Sequence, residues 1–140
     1  MPSDVDLRLH NRQRAYAIPI KRLRTYAMQA LDQLRSIWPA ELDETDIYFV
    51  GERRIRELHA EFLGDPTPTD VITFHHGEIF ICPAVADDQR QAHRLTLQDE
   101  LLIYMIHGLL HLCGYQDKTP AQFKRMAQAQ NRLFKKIRST

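Results

Sequence analysis

The segment from Leu101 to Leu112 limits the possible folds of this chain more than any other, because it is apolar on almost every side of a helix. A helix of that kind lies inside a protein, so the rest of the chain must surround it. Two imidazoles, those of His107 and His111, interrupt the apolar run. An unpaired buried polar group costs about 1–3 kcal/mol, so both imidazoles require partners.

The polar residues at the end of this segment have the spacing of a metal site. His107 and His111 are four residues apart, which places them on one helix face about 5–6 Å apart at Cβ. Gly114 can adopt the left-handed conformation that ends a helix, so that the chain folds back and Asp117 reaches the same point. Three ligands with a fourth position open to water are typical of a catalytic zinc. The alternative is two ordinary histidines, packed or solvent-facing.

Length and composition predict one soluble domain over residues 1–140. The chain is 44% hydrophobic and 26% charged, as ordinary globular proteins are. Its first residues lack the basic and apolar regions of a signal peptide. Its longest apolar run, residues 101–113, is shorter than the ~20 residues of a membrane span. We therefore expect a cytoplasmic protein without membrane association.

Two cysteines, Cys82 and Cys113, are expected to be buried thiols, because a chain without an export signal resides in a reducing compartment. Cys113 follows His111 closely and is a possible ligand. Its direction around the helix lies about 200° from that of His111, at ~100° per residue, which argues against that role.

The net charge of +1 conceals an uneven distribution. Residues 118–140 contain seven basic residues and no acidic one, and residues 1–24 contain six basic and two acidic residues. Fourteen of the eighteen acids lie between Glu41 and Glu100. Basic chain ends are compatible with a surface that contacts nucleic-acid phosphates, but solvated helix faces are the simpler interpretation of charge alone.

Hydrophobic periodicity predicts an α+β fold, with a four-stranded mixed β-sheet packed against about five helices and the metal site at the end of a buried helix. Phe62 and Phe123 are predicted to face inward from their helices. The expected strands are residues 4–10, Asp46–Val50, Val71–Phe74 and Glu78–Cys82. The expected helices begin at Pro19, Glu52, Pro83, Thr96 or Leu97, and Pro120, with ends near 38, 63, 93 and 113 for the first four.

Hydrolysis is the reaction class that such a site predicts, because zinc lowers the pKa of its bound water toward ~7 and thereby supplies the expected nucleophile. The spacing of the three ligands is also that of the metzincin peptidases. Those enzymes carry a glutamate, their general base, directly after the first histidine. Gly108 stands there, so peptide hydrolysis is disfavoured, and no residue is assigned as the general base.

Three segments together resemble the YbeY family of bacterial metal-dependent endoribonucleases: HGLLHLCGY at 107–115, PTDVITF at 68–74 and GEIFI at 77–81. The likeness covers most of the chain. It implies a single-strand-specific, zinc-dependent endoribonuclease that takes part in 16S rRNA 3′-end maturation and ribosome quality control. Its partners would be ribosomal RNA and the small ribosomal subunit, and it would hold one zinc ion per chain.

Three positions depart from the pattern of that family. Members usually continue with Asp-His after the Gly-Tyr pair, the histidine being the third ligand, whereas this chain has Gln116 and Asp117. Aspartate binds zinc at ~2.0–2.2 Å, so Asp117 can replace the histidine, although its charge makes bound water less acidic. Leu63 replaces an arginine able to contact phosphate. These departures support an alternative function, a non-catalytic ribosome-assembly or RNA-binding factor with a structural metal.

Five further residues are weaker candidates for roles near the site. We expect Asp70 to cap or brace its loop, and His75 and His76 to be surface histidines in a hairpin turn, although one of them facing the cleft is the alternative. Glu100 and Tyr104 share the helix face of the two histidines. They are candidates to support the ligands from behind.

Overall fold

A mixed four-stranded sheet forms one layer of the molecule, and the structure, a computed structural model, describes residues 5–67 and 69–139. The spatial order of the strands is β1-β2-β4-β3. Strands β1, β2 and β4 run parallel, whereas β3 pairs antiparallel with β4 across a tight turn. The strands are β1 (Asp6–Arg12), β2 (Glu44–Val50), β3 (Val71–Phe74) and β4 (Glu78–Ile81).

These bounds confirm the predicted strands, with shifts at their ends. The first strand is two residues later than predicted, and Asp4, where it was expected to begin, lies outside the described residues. Strand β2 begins at Glu44 instead of Asp46, and β4 ends at Ile81 instead of Cys82. The parallel partner accounts for the longer β2, because β1 pairs with it along its whole length.

The described residues form five α-helices, as predicted, but the first ends at Gln33 instead of near residue 38, and a short 3-10 helix over Arg35–Ile37 follows it. Side chains begin two of the helices: Thr96 accepts a hydrogen bond from the Asp99 N–H, and Thr119 forms a reciprocal capping box with Gln122. The helices are α1 (Ile20–Gln33), α2 (Glu52–Leu63), α3 (Pro83–His93), α4 (Leu97–Leu112) and α5 (Pro120–Arg138).

Helix α4 is the centre of the fold, which its apolar sequence predicts. It packs against α1, α3 and α5 and against strands β3 and β4. A Cβ at Gly108 would lie 2.7 Å from Cγ2 of the fully buried Ile79. The glycine therefore permits the close approach of α4 to the sheet, and position 108 faces the core.

The larger core lies on one face of the sheet and joins Ile47, Phe49 and Ile79 to buried residues of α1, α4 and α5. A smaller cluster on the opposite face joins α2 to the sheet through Ile55, Leu58, Val50, Ile72 and Cys82.

Two residues predicted to face inward do not. Phe62 is 55% exposed and Phe123 is 63% exposed. Each lies in a terminal turn, Phe62 at the end of α2 and Phe123 at the start of α5, beyond the turns that supply the buried residues of its helix. Helical periodicity predicts the buried face but not the position at which the packing partner ends.

Candidate metal centre

The end of α4 builds the site through its backbone. Gly114 has φ +100°, and the N–H groups of Gly114 and Tyr115 donate to the carbonyls of His111 and Leu110, the two bonds of a Schellman motif. This cap folds the chain back over the last turn of the helix. The Tyr115 carbonyl consequently lies 2.9 Å from Nδ1 of His111.

Three side chains converge at this cap, and we call them the candidate metal centre: His107, His111 and Asp117. The two Nε2 atoms are 3.0 Å apart. Oδ2 of Asp117 lies 3.6 Å from Nε2 of His107 and 3.5 Å from Nε2 of His111. Ligand atoms at ~2.0–2.1 Å from one tetrahedral zinc are about 3.3 Å apart, so the observed separations fit a shared ion.

The hydrogen bonds of the rings determine which nitrogens carry protons. Nδ1 of His107 lies 3.0 Å from Oε1 of Gln130, and Nδ1 of His111 lies 2.9 Å from the Tyr115 carbonyl. Both oxygens are acceptors, so each Nδ1 donates and, in the neutral ring, each Nε2 presents a lone pair. Two imidazole lone pairs and a carboxylate oxygen therefore face one another, an arrangement that a cation satisfies.

The surroundings favour the neutral ring of His111. Burial and the neighbouring His107 lower the pKa of His111, whereas the Asp117 carboxylate and the hydrogen bond to the Tyr115 carbonyl oppose that shift only in part. A neutral imidazole is the form that binds a metal. His111 is thus in its metal-binding form at neutral pH.

An open cleft of about 750 Å³ contains the candidate metal centre. Strand β3, an edge of the sheet, forms one side, and residues 114–118 form the other. The end of α2 contributes Phe62 and Leu63 to the lining. The three side chains of the candidate metal centre are partly exposed at the cleft, so a substrate can reach them.

Comparison with known proteins identifies the family. The sequence profile described as Endoribonuclease YbeY matches residues 8–138. The chain belongs to the YbeY endoribonuclease family. The protein named Endoribonuclease YbeY in Protochlamydia amoebophila is 40% identical over 64% of this chain and 67% of its own length. The protein of the same name in Thermobifida fusca is 32% identical over 81% of this chain and 82% of its own length.

Other family members match over different lengths. The Chlamydia caviae protein of the same name is 31% identical over 93% of this chain and 89% of its own. Matches to the proteins of Thermotoga neapolitana and another Thermotoga strain span only 51% and 61% of their lengths. The solution structure of TM1509 from Thermotoga maritima superposes with a TM-score of 0.65 at 27% identity, covering 95% of this chain and 92% of that one.

The weaker candidates have different outcomes. Asp70 accepts a hydrogen bond from the N–H of the next residue, Val71, at 2.8 Å, a contact at the end of its own loop, and also lines the cleft. Both turn histidines are exposed as predicted; His75 lines the cleft, whereas His76 lies 2.7 Å from Glu78.

Neither of the two candidate supporting residues on α4 is a hydrogen-bond partner of His107 or His111. The buried Glu100 carboxylate accepts from Nδ1 of His93 at 3.0 Å, near the opposite end of the helix. Tyr104 is buried, and burial together with Glu100 raises the pKa of its hydroxyl. The ring partners of the two ligands are instead Gln130 and a backbone carbonyl.

Sequence reasoning missed Gln130, although a signal for it exists. It lies four residues after Met126 and three before Leu133, on the buried face of α5. A glutamine within an apolar stripe is expected to have a polar partner. The backbone carbonyl of Tyr115 carries no such sequence signal.

The cysteines are not part of the centre. Both are free; Cys82 is buried and Cys113 partly so. Burial raises the pKa of the Cys82 thiol and raises that of Cys113 to about 11, which disfavours the thiolate that binds metals. No helix in the described part of the chain is both long and apolar enough to cross a membrane.

Proposed function

We propose that this protein is a zinc-dependent endoribonuclease that cleaves single-stranded RNA, acts in the maturation of the 16S rRNA 3′ end and in ribosome quality control, and has the small ribosomal subunit as its partner. Family membership supports the reaction class. The observation that carries the metal dependence is the convergence of three acceptor atoms, from His107, His111 and Asp117, inside an open cleft.

In this proposal some groups of the chain bind the metal, and others orient the imidazole rings that bind it. His107, His111 and Asp117 are the ligands, and Gln130 and the Tyr115 carbonyl fix the tautomer and orientation of the two rings. Zinc bound there supplies a Lewis acid that activates water and polarises a phosphoryl oxygen at neutral pH.

The charges in the cleft also favour metal dependence. Asp70 and Asp117 contribute two carboxylates, and Lys118 is the single Lys or Arg among the described residues of the lining. Two carboxylates against one ammonium repel an approaching phosphodiester. A divalent cation reverses that balance, so RNA is expected to reach the centre well only when the ion is present.

One observation favours the alternative of a non-catalytic RNA-binding factor. Leu63, which is 64% exposed, presents an apolar side chain to the cleft and cannot contact a phosphate electrostatically. A site of that kind can hold a metal without stabilising the charge of a phosphoryl-transfer transition state. The experiment must therefore measure cleavage and metal content separately.

The test is cleavage of an end-labelled single-stranded RNA by the full chain, with EDTA and after zinc is restored, beside elemental analysis of the protein and its Asp117→Ala variant. We expect EDTA to abolish cleavage and zinc to restore it. We expect Asp117→Ala to lose most of the zinc and the activity. Asp43→Ala, an exposed carboxylate outside the described lining of the cleft, is the matched control and retains both.

Two results would overturn parts of this proposal. Cleavage that persists in EDTA and in Asp117→Ala contradicts metal dependence. A zinc-loaded wild type that binds RNA without cutting it contradicts the enzyme and supports the non-catalytic alternative.

A further inference from the structure

Two large apolar side chains, at consecutive positions of α2, lie exposed in the cleft that contains the candidate metal centre. Phe62 and Leu63 are 55% and 64% exposed, and both line the cleft that contains His107 and His111. They are two of the five large hydrophobic side chains with the greatest exposure among the described residues. We call this pair the apolar wall. Adjacent exposed hydrophobic residues inside a cleft are typical of a binding surface.

Contacts of the Phe62 ring and of the loop after Leu63 hold the apolar wall in place. The Phe62 ring contacts the Phe74 ring edge to face, with centroids 4.9 Å apart and planes at 75°. Leu63 is the last residue of α2, and Gly64, with φ +70°, ends that helix. The loop that follows is tied back to the helix, because the Thr67 carbonyl accepts from Nδ1 of His59 at 2.8 Å. These contacts keep the two side chains exposed instead of letting them collapse onto the core.

The side chains of the apolar wall suit the bases of an RNA substrate and not its phosphates. The side chains of Phe62 and Leu63 offer no hydrogen-bond donor and no charge to a phosphate. Lys118 provides the cation on the other side of the cleft. In single-stranded RNA the bases are free to turn outward and stack on aromatic side chains, whereas the bases of a duplex are already stacked on one another.

We propose that the apolar wall is a stacking subsite for one nucleobase of single-stranded RNA, adjoining the phosphodiester at the metal centre, with Phe62 as the stacking platform and Leu63 as its aliphatic edge. The inference rests on the proposed function and adds to it a physical basis for single-strand preference. A duplex would have to lose a stacked base pair in order to fill the subsite.

Continuity with the metal centre favours RNA over a polypeptide as the occupant. The wall and the three ligands line one cleft of about 750 Å³, a volume within the range of sites that enclose small ligands. A strand with a nucleobase on Phe62 therefore occupies the same cleft as His107, His111 and Asp117. A partner protein covering the wall would close the approach of RNA to the ligands.

The experiment measures binding of a short single-stranded RNA that carries 2-aminopurine, a base whose fluorescence falls when it stacks. The full chain is titrated on ice with zinc present, gel electrophoresis verifies that the RNA stays intact during the titration, and a matched RNA with an abasic site at the same position is titrated in parallel. We expect wild type to quench the fluorescence and to bind the base-bearing RNA more tightly than the abasic one.

Variants assign the effect to the apolar wall. Phe62→Ala is expected to weaken binding of the base-bearing RNA about 5- to 150-fold, the range for loss of one stacked base, and to remove most of the quenching. Phe62→Trp is expected to retain both. Phe123→Ala removes a phenylalanine of similar exposure from α5, outside the described lining of the cleft, and is expected to change neither. Thermal melting of each variant verifies folding.

The abasic RNA distinguishes stacking from a structural role. If Phe62 stacks on a base, Phe62→Ala binds the abasic RNA as well as wild type does. Equal weakening of both RNAs, or an effect no larger than that of Phe123→Ala, would overturn the inference and would favour a polypeptide on the wall. Either result leaves the cleavage test of the proposed function unaffected, so the two failures are distinguishable.

Discussion

Within residues 5–67 and 69–139, two regions bring histidine and aspartate side chains together, and only one of the two is a candidate metal site. At the candidate metal centre, His107, His111 and Asp117 turn acceptor atoms toward one another. On the outer face of the sheet, His10 and Asp46 are closer still, with Nε2 of His10 2.8 Å from Oδ1 of Asp46.

The difference between the two regions lies in the balance of donors and acceptors. The Asp46 carboxylate accepts from Nε of Arg8 at 2.9 Å and from Nη2 of Arg8 at 3.2 Å, besides its contact with His10. We call these three residues the Asp46 cluster. Its carboxylate already has a cationic partner, so a metal would have to displace Arg8. Proximity alone does not identify a metal site; an excess of acceptors does.

The largest expected effect separates the two regions by their response to zinc. His111→Ala removes a ligand, and we expect the affinity for zinc to fall more than about 100-fold. At a concentration one hundred times Kd, zinc stabilises the wild type by about 2.7 kcal/mol, which is several degrees in Tm. His111→Ala should lose that stabilisation at the same concentration, as measured by thermal melting with and without the metal.

His10→Ala is the matched control for this prediction. It removes an imidazole that bonds to Asp46 and stacks on Tyr48 with centroids 4.4 Å apart. We expect it to lower Tm equally with and without zinc, so that the metal-induced increase stays intact. If the zinc-induced increase in Tm were lost in His10→Ala and kept in His111→Ala, the metal site would lie in the region of His10 and Asp46 instead.

A smaller effect tests whether the ring partner of His107 matters. Gln130→Leu keeps the size of the side chain but leaves Nδ1 of His107 without its acceptor. Loss of such a partner costs 10–100-fold in metal affinity, which zinc titration by calorimetry measures. Gln128→Leu, on an exposed position of the same helix, should leave the affinity unchanged. Equal affinities in the two variants would show that His107 is oriented without Gln130.

The sequence predicted the parts of this structure that depend on local spacing. The i, i+4 histidines, the glycine turn and the returning Asp117 are encoded within eleven residues, so helix geometry alone brings them together. The apolar sequence of α4 likewise predicted a central helix, and the mixed sheet followed from short alternating segments. Gly108 was noted as a missing base; the structure adds that its position faces Ile79.

The sequence pattern did not predict contacts between residues that are far apart in the chain. Gln130 reaches His107 because α5 packs on α4, and His10 meets Asp46 because β1 pairs with β2. Phe62 was predicted to be buried, because periodicity does not show where a packing partner ends. These features depend on tertiary contacts between elements far apart in sequence. A sequence can indicate that a residue such as Gln130 needs a polar partner, but it does not show which partner that residue meets.

The smallest expected effect concerns the pH dependence of the Asp46 cluster. Partial burial raises the pKa of Asp46, but the hydrogen bonds from Arg8 and His10 outweigh it and hold the pKa below its usual value. A carboxyl with a lowered pKa stabilises the fold above its unfolded value of about 3.9. That contribution is lost as the pH falls through the lower folded value.

Asp46→Asn keeps the shape of the side chain and removes its charge. Because Arg8 is 43% exposed, we expect a loss of only about 1 kcal/mol at pH 7. Urea unfolding at pH 7 and near pH 3 measures the difference in the free energy of unfolding between wild type and variant. We expect this gap to narrow at the lower pH. Asp43→Asn, an exposed carboxyl in the turn before β2, should show no comparable gap at either pH. If the Asp46→Asn gap were the same at both values, the carboxylate charge would not stabilise the Asp46 cluster, and the balance of donors and acceptors that separates it from the metal centre would lose its energetic support.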